Sequence, residues 1–169
     1  NRLLVVGRGT GQAVAMEAAL KLKETCGIQA EAFSGAEIQH GPMALIDAGY
    51  VLLVLAPRGP AHTGLVQLAE QMRVRGAKVL LAAPLATPGA DLPLVETESV
   101  DLDPIAVIQS FYPMVEALAR ARGFDPDRPR HLAKVFADVR VGSRLTLHAN
   151  MVSTSRSFAR GNENNQHRA

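Results

Sequence analysis

The 169-residue chain predicts a three-layer α/β/α sandwich around a parallel sheet of four or five strands. Three observations carry this expectation. Short runs such as LLVV and VLLVLA are apolar throughout, as strands covered on both faces are. Helix-length stretches with apolar residues three and four apart separate them. The composition is aliphatic, 47% apolar with 4% aromatic residues and no Trp, which suits helix-on-sheet packing better than a β-sandwich.

The elements follow in order. Leu3 to Val6 is a buried strand ending in the tight turn GRGTG. Thr10 is the expected N-cap of a helix over Gln12 to Cys26, with Gly27 as its stop. Val14, Ala15, Ala18, Ala19 and Leu22 form its apolar face. Ile28 to Asp47 has a mixed pattern, in which Ser34 caps a short helix through Gln39 before His40-Gly41-Pro42 breaks it. Val51 to Ala56 is the second strand, and Thr63 to Arg75 an amphipathic helix closed by Gly76. Lys78 to Ala83 is the third strand and Leu92 to Thr97 a weaker fourth. Pro104 opens a helix that runs to Arg122 and closes at Gly123.

Length and charge narrow the possibilities. One domain with a sizeable core fits 169 residues. Residues 1–135 hold thirteen Lys/Arg against fourteen Asp/Glu, whereas residues 136–169 hold five Arg against Asp138 and Glu163. The basic character therefore belongs to the end of the chain, which reads as a polar, disordered tail. A near-neutral body without interleaved aromatics argues against nucleic acid. No apolar run reaches the roughly 20 residues a membrane span needs. The single Cys26 excludes an internal disulfide and fits a reducing, cytoplasmic setting. A first strand starting almost at Asn1 suggests a piece of something longer.

Three features could carry chemistry. Gly7, Gly9 and Gly11 follow a strand and open a helix, but their spacing is not GxGxxG and no Gly-Lys-Ser/Thr is present. The turn is either a close strand-to-helix connection or part of a ligand edge. Glu17, Lys21 and Glu24, at i, i+4 and i+7, share one helix face. They read either as surface ion pairs or as a carboxylate held ionised and aimed for proton abstraction. His40 is either a turn residue or a proton carrier near neutral pH. No second His or Cys stands at metal-ligand spacing, and nothing implies a cofactor.

The order Gly-Arg-Gly, E-x-A-L-K-L-K-E, A-E-A-F, E-x-x-H-G-P and R-P-R-H-L-A-K resembles the second sugar-isomerase (SIS) domain of two-domain amino-sugar-phosphate enzymes, over residues 3–135. The resemblance implies a flavodoxin-like SIS domain at residues 1–135, followed by the tail 136–169. It implies Glu24 as the base that shuttles a proton between C1 and C2 of an open-chain sugar. It implies His40 as the ring-opening histidine, serving a neighbouring subunit's site, and Lys134 as the lysine that can hold the ketose as a Schiff base. Glu17 and Lys21 match polar partners on the catalytic helix, and Gly7, Arg8 and Gly9 complete the expected substrate-binding set.

The type reaction so implied converts glucosamine 6-phosphate to fructose 6-phosphate and ammonia. The isomerase portion of a glutamine-dependent fructose-6-phosphate aminotransferase, or a non-catalytic sugar-phosphate sensor, are the alternatives. The family's phosphate-holding Ser/Thr-rich loop belongs to the first SIS domain and is not found here. The expected partners are therefore a sugar phosphate and a second SIS domain, as a homodimer or a paired first half.

Overall fold

The computed structural model describes residues 2–130. Lys134 and the tail 136–169 lie outside the described residues. The elements are β1 (Arg2–Gly7), α1 (Thr10–Cys26), β2 (Gln29–Ser34), two short 3-10 helices (Glu37–His40 and Pro42–Leu45), β3 (Val51–Leu55), α2 (His62–Val74), β4 (Lys78–Pro84), β5 (Leu92–Leu94) and α3 (Asp103–Ala121).

The five strands form an all-parallel sheet in the order β2-β1-β3-β4-β5. Central strands are buried on both faces: Leu4 to Val6 and Leu52 to Leu55 are all buried, which is why they read as unbroken apolar runs. One face packs α1 and α3 through Val14, Ala15, Ala18, Leu22, Val107, Phe111 and Val115. The other packs α2 and the short helices through Ile38, Ile46, Leu65, Leu68 and Met72. The result is the expected three-layer sandwich.

Four local expectations need correction. Gln29–Ser34 is a strand, not part of an irregular segment. As an edge strand it exposes Gln29 and Glu31 and buries Ala30, so its polar residues masked the pattern. Thr10 is the first helical residue of α1 rather than its cap. Gly9 takes the cap position, at φ 59° and ψ −129°, with no side-chain cap bond. Ser34 is not the cap of a helix through Gln39: the short helix is a 3-10 turn over Glu37–His40 with Ala36 at its cap position and no side-chain cap bond. Ser34 Oγ still accepts from the Glu37 N–H at 3.2 Å and Glu37 Oε2 accepts from the Ser34 N–H at 3.2 Å, a reciprocal pair that fixes the turn ahead of the helix. The last strand stops at Leu94, and its Pro93 is tolerated because β5 is an edge.

Glycine sets how closely α1 meets the sheet. A Cβ on Gly7 would overlap the Gly11 carbonyl oxygen and approach Ala15 Cβ to 3.0 Å. Gly11 itself lies against the Pro57 ring, 3.6 Å from where its own Cβ would be. At the other end, Gly27 closes α1 in the left-handed region at φ 58°. There Cys26 Sγ donates to the Val115 carbonyl at 3.5 Å and Arg122 Nε donates to the Cys26 carbonyl at 2.8 Å, tying α1 to α3.

Two glycine substitutions separate packing from backbone strain. Gly7→Ala should lower the unfolding free energy by about 3 kcal/mol, because the clash is with backbone rather than a movable side chain. Gly9→Ala should cost about 1–2 kcal/mol, since only its positive φ is at stake and no atom lies near its Cβ. Urea denaturation of both variants checks the ranking.

Candidate functional site

Strand register gathers three turns at the carboxyl edge of the sheet. Gly7 pairs with Ser34, and the Gly35 N–H donates to the Gly7 carbonyl at 2.9 Å. The Gly7-Arg8-Gly9 turn thus lies beside the turn from Ser34 to Glu37. Pro57 and Arg58 follow β3 on the same edge. Connections leave β1 and β3 toward opposite faces here, the switch point where such sheets usually hold ligands. Arg8 and Gly9 are exposed and Gly7 is buried; for Gly7 the packing against α1 is reason enough for glycine.

Glu17, Lys21 and Glu24 do come together, on the side of α1 that meets α3. Lys21 Nζ donates to Glu24 Oε2 at 2.7 Å and lies 3.8 Å from Glu17 Oε1. On α3, Tyr112 donates from its hydroxyl to Glu17 Oε1 at 3.1 Å. The side chains of Glu17, Lys21 and Glu24 are 33%, 31% and 26% exposed, so each pair contributes only about 0.5 kcal/mol to stability. Their worth is orientation. The bond to Glu24 holds the Lys21 amine above its ordinary range, against partial burial, and the charges of Glu24 and Glu17 add to this. Lys21 is therefore a fixed cation at neutral pH. Burial, then the bond to Glu17, pushes the Tyr112 phenol up, so it is a donor there.

The site residues are not all brought together within one chain. Glu24 is in the last turn of α1, about 21 Å along the helix axis from Thr10. His40 is exposed, at the end of a 3-10 helix that buries Ile38 on the opposite face of the sheet. β2 runs between them, and its five residue steps span about 17 Å. Lys134 lies outside the described residues.

A further charged cluster closes the carboxyl edge. Asp103, at the first turn of α3, is buried and takes two bonds from Arg58, Nε to Oδ2 at 2.8 Å and Nη2 to Oδ1 at 2.7 Å. Thr97 donates to Oδ1 through its hydroxyl at 2.7 Å and its N–H at 3.3 Å. The Arg58 guanidinium holds the Asp103 carboxyl well below the usual carboxylate range; burial opposes this and the Thr97 bonds assist it. The Asp103 partnership and the Tyr112 contact were not legible in the sequence. Tyr112 is on the outer edge of an amphipathic stripe, where nothing in the pattern marks it.

Among the described residues, no group of three or more His, Cys, Asp or Glu side chains could hold a metal ion. No described helix is long and apolar enough to cross a membrane.

The Asp103 bonds give a pH-dependent stability. Its folded-state pKa is depressed, so the contribution is complete above the unfolded value near 4 and is lost as pH falls through the folded one. Asp103→Asn should cost about 3 kcal/mol at pH 7 by removing the buried charge partner of Arg58 and leaving it only Glu96, half-exposed and 3.5 Å away. Below about pH 4 the gap between variant and wild type should narrow. Chemical denaturation across pH checks both statements.

The comparisons with known proteins agree with this architecture. The SIS domain family model matches residues 1–86. A glutamine–fructose-6-phosphate aminotransferase (isomerizing) of Aeropyrum pernix is 38% identical over 144 residues, covering 78% of this chain and 22% of that protein. The chain thus spans about a fifth of the length of the curated relatives it matches. A solved phosphosugar isomerase structure from Silicibacter pomeroyi is 41% identical with a TM-score of 0.66, covering 75% of this chain and 38% of that one. A glucosamine-6-phosphate deaminase from Thermotoga maritima is 26% identical with a TM-score of 0.62, covering 78% and 39%. With its family model matched over half of the chain and its parallel sheet in agreement, the chain belongs to the SIS domain family.

Proposed function

We propose that this chain is the second SIS half of an amino-sugar-phosphate isomerase/deaminase, turning glucosamine 6-phosphate into fructose 6-phosphate and ammonia in the cytoplasm. The observation that carries it is the Glu24 carboxylate held at 2.7 Å by Lys21. Abstracting a proton next to a carbonyl needs an ionised, positioned base, and the enediol-type intermediate needs a nearby cation. In this reading Glu24 takes the proton from C2 of the open-chain amino sugar and returns it at C1. The product is a C2 imine, which water hydrolyses to the ketone and ammonia. His40 opens the sugar ring in a neighbouring copy's site, and Lys134 holds the ketose as a Schiff base. Gly7, Arg8 and Gly9 face the substrate edge.

Pairing with another SIS domain is part of the proposal. Met16 and Leu20, 60% and 41% exposed, lie one turn apart on α1 beside the Glu17–Lys21–Glu24 stripe. A partner covering them would also exclude water from Glu24, strengthening its electrostatics. The aminotransferase relative favours a second reading, in which the same proton transfer serves glucosamine 6-phosphate synthesis with ammonia delivered from glutamine.

The test is turnover of glucosamine 6-phosphate by the chain, alone and with a first SIS domain, read as ammonia and ketose. Ammonia release without glutamine supports the deaminase; a requirement for an attached glutaminase supports the aminotransferase. Fructose 6-phosphate binding without turnover would leave only a sensor. Glu24→Gln should lower solvent-deuterium exchange at C2 by at least about a thousandfold while leaving sugar-phosphate binding within about threefold. Retained exchange removes Glu24 from the role of base.

A further inference from the structure

Lys21 sits between two carboxylates and favours the less expected one. On an isolated helix, Glu four residues before Lys is the better-placed partner, which points to Glu17. Yet Lys21 Nζ is 3.8 Å from Glu17 Oε1 and 2.7 Å from Glu24 Oε2. The asymmetry has a source on the neighbouring helix. Tyr112 donates its hydroxyl to Glu17 Oε1 at 3.1 Å, the same oxygen that Lys21 would take. A carboxylate oxygen only accepts, so the phenol is the donor. Its ring lies 6.4 Å, centroid to centroid, from that of Phe111, which is buried in the core.

We propose that Tyr112 is a positioning residue for the isomerisation: by occupying Glu17 it leaves the Lys21 ammonium to hold the Glu24 carboxylate. The proposal rests on Glu24 as the base. It adds a residue from a second helix that touches no reacting atom and acts through Glu17 and Lys21. It also gives Glu17 a defined task, to anchor the far side of Lys21 without capturing it.

Tyr112→Phe keeps the ring and removes only the hydroxyl. Without it, Glu17 should draw Lys21 away, moving the Glu24 carboxyl 13C signal and the Lys21 ammonium signal in the NMR spectrum of the chain at pH 7. In the SIS-paired enzyme, kcat for C2 exchange should fall about fivefold, with KM within about twofold, as loss of one hydrogen bond implies. In a Glu17→Gln background, where no charge competes for Lys21, Tyr112→Phe should have no further effect on either signal or kcat. Tyr112→Leu, which also removes the ring, should shift the Glu24 signal in the same direction and guards against a folding failure of the first variant.

An unmoved Glu24 signal in folded Tyr112→Phe, or equal losses in both backgrounds, overturns the role given to Tyr112. The NMR readout needs no catalysis. Retained exchange in Glu24→Gln would therefore bring down the catalytic reading separately, while the signal still decides whether Tyr112 directs Lys21.

Discussion

The close approach of α1 to the carboxyl end of β1 is the constraint on which the rest of the arrangement depends. Gly7 leaves room for the Gly11 carbonyl, Gly11 lies against Pro57, and Ala15, Ala18 and Ala19 continue the narrow contact. Small residues along one stripe let the helix sit low on the sheet. With the helix so seated, its 3.6-residue period leaves no freedom in where Glu17, Lys21 and Glu24 fall. They lie at the margin where α1 meets α3, and Tyr112 can reach Glu17 because α3 is tied to the same helix at Cys26. The glycine motif therefore serves the carboxylates by geometry, whether or not a ligand touches the turn itself.

Electrostatics at the two charged clusters follows burial. Asp103 is almost wholly buried, so its bonds to Arg58 and Thr97 act strongly and hold the loop after β5 against the end of β3. The Glu17–Lys21–Glu24 stripe is about one-third exposed and contributes little to folding. What the stripe fixes is direction: one ammonium shared unequally by two carboxylates. Covering it with a second domain would raise the strength of every pair in it.

Sequence reading succeeded where one periodicity ruled. Central strands such as Val51 to Leu55 and the helices were legible because both faces of a strand, or one stripe of a helix, had a single environment. It failed at β2, where an edge strand alternates exposed Gln29 and Glu31 with buried Ala30 and is too short to show a period. The turn at Ser34 was half legible: Ser34 as a turn-forming residue was visible, but the 3-10 geometry and the cap position at Ala36 were not. In the candidate site, the i, i+4, i+7 set on α1 could be placed from spacing alone. Tyr112 could not, because its contact joins residues 95 positions apart and depends on how α3 docks.

Glu24 and His40 stand far apart in one copy of the chain. A single copy of the chain separates them twice, by the thickness of the sheet and by the length of β2. A proton-transfer site must bring its groups within a few ångströms of one small substrate. Within one copy, the segment after β2 would have to cross the edge of the sheet, past the six-residue pairing of β1 with β2, to bring them together. If both groups serve one sugar, they must come from different copies or different halves. The exposed Met16 and Leu20 beside Glu24, and the exposed His40 at the other edge, are then two ends of one assembly requirement. Each copy would give its base to one site and its histidine to another.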